Sequence, residues 1–151
     1  MNPLRKWLRL GPDERRELLR AGVAVPAIRL GLSTLPFDTL DMLLSLLETH
    51  PEPEGAPVTV VAAKGNGAEV ERVRWAVAAV GRRLPGATCL TQALAARMLL
   101  GRKGIAAEVR IGVKRDGAGR ITGHAWLKSD AAGDQIGEDE GYLPLPERGR
   151  H

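Results

Sequence analysis

The stretch P-G-A-T-C-L-T-Q-A-L-A-A-R-M-L-L, Pro85 to Leu100, decides how the chain is read. Pro85 and Gly86 break the preceding helix. Thr88 has the side chain of an N-cap, and Leu90, Leu94, Ala95, Met98 and Leu99 recur at helical spacing. Cys89, the single cysteine of the chain, therefore stands at a helix start. There it meets unpaired backbone N–H groups and the positive end of the helix dipole, which favour the nucleophilic thiolate. His124 follows 35 residues later, in the strand-like run Gly123-His124-Ala125-Trp126. A helix-start thiol and a histidine on a later strand are two of the three parts that thiol catalysis needs.

Composition narrows the remaining possibilities. The 151 residues suffice for one domain with a modest core, and 44% apolar content is globular. With 3% aromatics, that core is built mainly of Leu, Val, Ala and Ile. Net charge is +4 and the pI about 9.7. The basic excess lies in the N-terminal third and in Arg82, Arg83, Arg97, Arg102, Lys103, Arg110, Lys114 and Arg115. It reads as solvated helix faces, with attraction of an acidic peptide or partner as the functional alternative. Nucleic acid is disfavoured, because no aromatics interleave with the cations. One cysteine excludes an internal disulfide framework. No signal peptide or membrane span is evident, since Arg5, Lys6, Pro26 and Arg29 interrupt the apolar runs. The expected compartment is the cytoplasm.

In chain order the elements are as follows. Pro12-Asp13-Glu14 opens a helix that Pro26 should kink or split, and that ends near Ser33 to Pro36. Phe37-Asp38-Thr39 opens a second, capped by Asp38, with a broad apolar face of Leu40, Met42, Leu43, Leu44, Leu46 and Leu47. Residues 50–57 form a proline-rich linker, and 58–63 a short strand or loop. Glu69 to Arg83 is a helix with Val70, Val73, Trp75, Ala76, Val77, Ala79 and Val80 on its apolar side. The cysteine helix runs from Thr88 to Lys103, with Gly104 as its C′ glycine. Three strands follow, Ile105 to Val113, Ile121 to Ser129 and Asp134 to Asp139. The turns between them are Asp116-Gly117-Ala118-Gly119 and Asp130-Ala131-Ala132-Gly133, and Tyr142 to Pro146 closes the domain. Helices first and an antiparallel meander afterwards predict an α+β fold. Residues 1–57 form a helical lead-in and linker, and 58–151 the catalytic core, within one compact unit.

His50 lies in the linker and His151 ends the chain, so His124 is the candidate base. If 130–133 is a four-residue loop, His124 pairs with Asp139, and a slip of one residue selects Glu138. Gln92 reads as structural. Trp126 shares the strand face of His124 and is either the wall of a cleft or plain core. The ligand set is too poor for a metal, and no nucleotide-binding loop or other cofactor motif is present.

The run W-A-V-A-A-V-G-R-R-L-P-G-A-T-C-L-T-Q-A-L-A-A-R-M-L-L-G-R-K-G-I-A-A-E-V-R-I-G-V, Trp75 to Val113, followed by G-H-A-W-L from Gly123, resembles the transglutaminase-like leader peptidases of lasso-peptide biosynthesis. L-S-T-L-P-F at Leu32 to Phe37 is similar to that family's helical lead-in. The resemblance implies a papain-like or transglutaminase-like cysteine protease. It would cleave the leader from a ribosomally made precursor, freeing the core N-terminus for macrolactam formation. By match Cys89 is the nucleophile and His124 the base. The third residue is an aspartate on the strand after H-A-W, which here is Asp139 or Glu138. The chain has no room for the family's fused leader-binding domain, so a split protease is expected. Its implied partners are the precursor, a separate leader-recognition protein and an ATP-dependent macrolactam synthetase. A transglutaminase-like acyl transferase and a non-catalytic peptide-binding adaptor are the alternatives.

Overall fold

The computed structural model describes residues 9–47, 67–129 and 141–145. Four helices precede three strands: α1 (Pro12–Thr34), α2 (Phe37–Leu47), α3 (Gly67–Gly81), α4 (Cys89–Gly101), β1 (Glu108–Arg115), β2 (Ile121–Lys128) and β3 (Leu143–Pro144). The class is α+β, as the sequence predicts.

Helix α1 begins as expected, with Pro12 in its first turn and the Glu14 carboxylate accepting the Gly11 N–H at 2.8 Å. Pro26 does not split it: α1 is a single element. Val25 and Ile28, on either side of the proline, are buried in the core and hold the helix in place across the missing hydrogen bond. Asp38 is not the cap of α2. Phe37 is already helical, and the Leu40 N–H reaches back to the Pro36 carbonyl at 3.1 Å. The face of α2 is also narrower than its composition suggests. Leu40 and Leu44 are buried, whereas Met42, Leu43, Leu46 and Leu47 are exposed. Trp75 of α3, placed on the apolar side from sequence, is 38% exposed. Val70, Val73, Ala76 and Val77 make the contact with the core instead.

Helix α4 is the centre of the molecule. Thr91, Ala93, Leu94, Ala95, Ala96, Met98, Leu99 and Leu100 are all buried. The helix packs on α1, α2, α3, β1 and β2. One hydrophobic cluster joins its leucines to Ala21, Val25 and Ile28 of α1, Leu40 and Leu44 of α2, Val70 and Val73 of α3, and Leu127 of β2. Gly104 adopts φ of +74°, and the Ile105 N–H bonds the Leu100 carbonyl at 3.0 Å, the expected glycine stop. Ile105 belongs to this buried turn, not to the first strand, which starts at Glu108.

Two cations that composition assigns to solvated faces, Lys103 and Arg97, are tethers. The Lys103 ammonium lies 2.6 Å from Glu17 and 3.3 Å from Glu69, so the end of α4 is tied to α1 and α3. Glu17 is only 2% exposed and also takes Arg20 at 2.9 Å. Arg97 bonds Asp41 at 2.8 Å and Ser45 at 3.3 Å, tying α4 to α2.

The sheet order is β2-β1-β3, both pairs antiparallel. The β1–β2 ladder runs from Glu108↔Lys128 to Arg115↔Ile121, so the first hairpin is as predicted, with residues 116–120 as its loop. The expected strand at 134–139 and the turn at 130–133 lie outside the described residues. Among the described residues the sheet is not a simple meander. The closing segment returns to the far edge of β1, with Val113↔Leu143 and Gly112↔Pro144 paired.

Asp116 organises the hairpin loop. Its Oδ1 accepts the Ala118 and Arg120 N–H groups at 2.9 Å each, and its Oδ2 the Arg120 Nε at 2.9 Å. The Arg120 N–H, above all, holds its carboxyl below the ordinary 3.8; desolvation opposes this, and the Arg120 side chain and Ala118 N–H add to it.

Two outcomes follow from these contacts. Lys103→Met leaves Glu17 buried with one fewer counter-charge, and is expected to cost about 3 kcal/mol in urea unfolding. For Asp116 the folded-state value is the depressed one. Its stabilisation is therefore complete above pH 3.8 and is lost as pH falls through the lower folded value. The protection of the Ala118 and Arg120 amides against hydrogen exchange, relative to their intrinsic rates, is expected to fall over that range, and Asp116→Asn to abolish the step.

Candidate active site

Cys89 is the first residue of α4. Thr88 is its N-cap, with extended backbone, and the Thr88 Oγ1 accepts the Thr91 N–H at 3.3 Å. The local reading of the sequence is therefore met: a capped helix start with a half-buried free thiol in the first turn. The approach is a tight turn. The Ala87 N–H bonds the Leu84 carbonyl at 3.2 Å, and Gly86 has φ of +77°.

Arg29 of α1 packs against that turn. A Cβ on Gly86 would lie 2.8 Å from both its Nε and its Nη2, a contact the flexible arginine side chain can relieve by moving, so it is the positive φ that calls for glycine here. The Arg29 guanidinium is held in part by Ser33 Oγ. It brings a cation to the loop three residues before the thiol. Sequence periodicity saw Arg29 only as an interruption of an apolar run. Gln92 is structural, as expected: its side chain fills the space over Gly81 of α3, and its Nε2 donates to the Ala87 carbonyl at 3.5 Å.

His124 lies on β2, directly opposite Gly112 of β1. Alternation sends Ala125 and Leu127 to one face of the strand, where Leu127 joins the helical core, and His124 and Trp126 to the other. The imidazole is half-buried between two rings. Trp126 stacks on it with centroids 6.2 Å apart and planes at 18°, and Tyr142 lies at 5.1 Å and 37°. Trp126 is thus a wall of the histidine site. Its ring also covers Gly112, where a Cβ would come within 2.8 Å of the indole and 2.9 Å of the Leu143 carbonyl. Sequence patterning places Tyr142 only in a closing segment. Its one signal is that it is the sole tyrosine of the chain.

Packing of α4 on β2 brings the elements that carry Cys89 and His124 together. Among the described residues no hydrogen bond joins the two side chains, and His124 lies on the face of β2 opposite to Leu127, which meets the helical core. The candidate third residues, Asp139 and Glu138, lie outside the described residues. No group of three His, Cys, Asp or Glu side chains is placed to hold a metal among the described residues, and no described helix is long and apolar enough to cross a membrane.

The sheet side of the site is open to a direct test. Gly112→Ala sets a methyl against the Trp126 ring and a backbone carbonyl, and is expected to destabilise the protein by about 1–3 kcal/mol. Urea unfolding followed by tryptophan fluorescence measures it.

The profile of the transglutaminase-like superfamily matches residues 34–145, well over half of the chain and a span that includes Cys89, His124 and Tyr142. No curated protein and no solved structure matches.

Proposed function

The chain belongs to the transglutaminase-like superfamily, and from that premise we propose that it is a cysteine peptidase that removes the leader from a ribosomally made lasso-peptide precursor. The observation that carries the reading is the half-buried Cys89 in the first turn of a capped helix, inside the family-matched span that also holds His124. The motif resemblance from Trp75 to Leu127 supplies the substrate class.

The Cys89 thiolate attacks the carbonyl at the leader–core junction. The first-turn backbone N–H groups of α4 face the developing oxyanion. The C–N bond breaks, the leader acyl group remains on sulfur as a thioester, and protonated His124 gives its proton to the departing core amine. Water then attacks the thioester, with His124 taking its proton, and the thiolate is released. Asp139 or Glu138 orients the imidazole. A separate leader-recognition protein delivers the precursor, and the freed amine passes to an ATP-dependent macrolactam synthetase.

The test is incubation of protein, recognition partner and precursor, read by mass spectrometry. Wild type is expected to give free leader and core. Cys89→Ala is expected to lose about 10³-fold or more of the rate. Leader release by Cys89→Ala at the wild-type rate would contradict the proposal. An amide-linked leader adduct instead of free leader would assign acyl transfer to an amine.

A further inference from the structure

We propose that Tyr142 is a positioning residue that fixes the His124 imidazole by holding it against Trp126. The inference rests on the reading of His124 as the base.

The backbone around Tyr142 is set by the same strand that sets His124. Gly141, with φ of +75°, turns the chain into β3. Val113↔Leu143 and Gly112↔Pro144 then lock the segment to β1, and the Leu145 N–H bonds the Ile111 carbonyl at 2.9 Å. Continuing that register by one residue sets Tyr142 beside Lys114, on the face shared by Gly112 and His124. β1 is the middle strand, and Gly112 is its residue opposite both His124 and Pro144.

A glycine in the middle of a sheet weakens it. Here it leaves a gap that the Trp126 ring crosses from β2, while Tyr142, just before β3, packs against His124. The result is a line of four side chains. Lys114 Nζ lies 5.5 Å from the Tyr142 ring centroid, Tyr142 lies 5.1 Å from His124, and His124 lies 6.2 Å from Trp126. The Lys114 stem also runs along Gly141, at 3.4–3.9 Å from a Cβ position there. Tyr142 therefore has Lys114 as well as His124 against its ring.

The contact is made by the ring. Among the described residues the Tyr142 hydroxyl forms no hydrogen bond, so its aromatic face is what His124 feels. An imidazole on a strand is otherwise free to turn about two torsions. Held between two rings, it loses that freedom before substrate arrives, and orientation of the base is worth rate. The role belongs to the phenyl group, which sets Phe apart from an aliphatic residue at this position.

The experiment uses the full chain carrying Tyr142→Phe, Tyr142→Leu and Tyr142→Val, the last because a β-branched side chain suits the strand if leucine fails to fold. The His124 ring signals, assigned by their loss in His124→Gln, are read by NMR. Leader-cleavage kcat and KM are measured on the same proteins. Tyr142→Phe is expected to keep the ring-current-shifted His124 signals and a kcat within about twofold of wild type. Leu and Val are expected to move those signals towards those of an exposed histidine and to lower kcat about tenfold, with KM nearly unchanged. Unchanged His124 signals in Leu or Val, or a loss in Phe as large as in Leu, would overturn the proposal. If wild type fails to cleave the precursor, the peptidase reading falls, and the NMR comparison still decides whether Tyr142 positions the ring.

Discussion

Burial of α4 is the constraint on which the rest of the structure depends. It is the element that α1, α2, α3, β1 and β2 all touch. Its alanines, Ala93, Ala95 and Ala96, let neighbouring backbones come close, and Leu94, Leu99 and Leu100 fill the space between. Polar tethers then fix where the helix sits along its axis. Gln92 lies over Gly81 near the start, Arg97 bonds Asp41 in the middle, and Lys103 meets Glu17 and Glu69 just past the end. A helix held at three levels cannot slide or rotate without breaking a buried contact. The position of the thiol at its first residue is a consequence of that packing.

The sheet carries the other half of the site with a different economy of contacts. Its described strands are few and short, and β3 is only two residues long. Removing the side chain at Gly112 lets Trp126 lie across the middle strand, while Tyr142 approaches His124 from the β3 side. Ring packing, not an extended hydrogen-bond ladder, therefore links the closing segment to β2. The chain has very few aromatics, and two of them stand against the histidine.

Features encoded by neighbouring residues were legible in the sequence. The Thr88 cap, the Gly104 stop, the Asp116 hairpin and the alternation of β2 each depend on a few adjacent positions. Features that depend on what packs from elsewhere were not. Trp75, Met42 and Leu46 lie on apolar runs, yet only the position of α4 decides which residues of α2 and α3 face inward; Leu46 is 75% exposed. Lys103 and Arg97 look like solvated cations until Glu17 and Asp41 are brought beside them across the fold. The return of β3 to β1 is a long-range pairing that turn signals do not specify, and with it went the significance of Tyr142. Cys89 and His124 were the readable part of the candidate site because rarity and local structure coincide there. The orienting carboxylate depended on hairpin register between Asp139 and Glu138, a matter that lies outside the described residues.

The central claim is that Cys89 and His124 act as one chemical device. The most direct measurement is the second-order rate of Cys89 alkylation by iodoacetamide at neutral pH, in wild type and in His124→Ala, followed by intact mass. The chain has one thiol, so the rate belongs to one residue. The account predicts markedly slower alkylation once the imidazole is removed. Equal rates in the two proteins would contradict it.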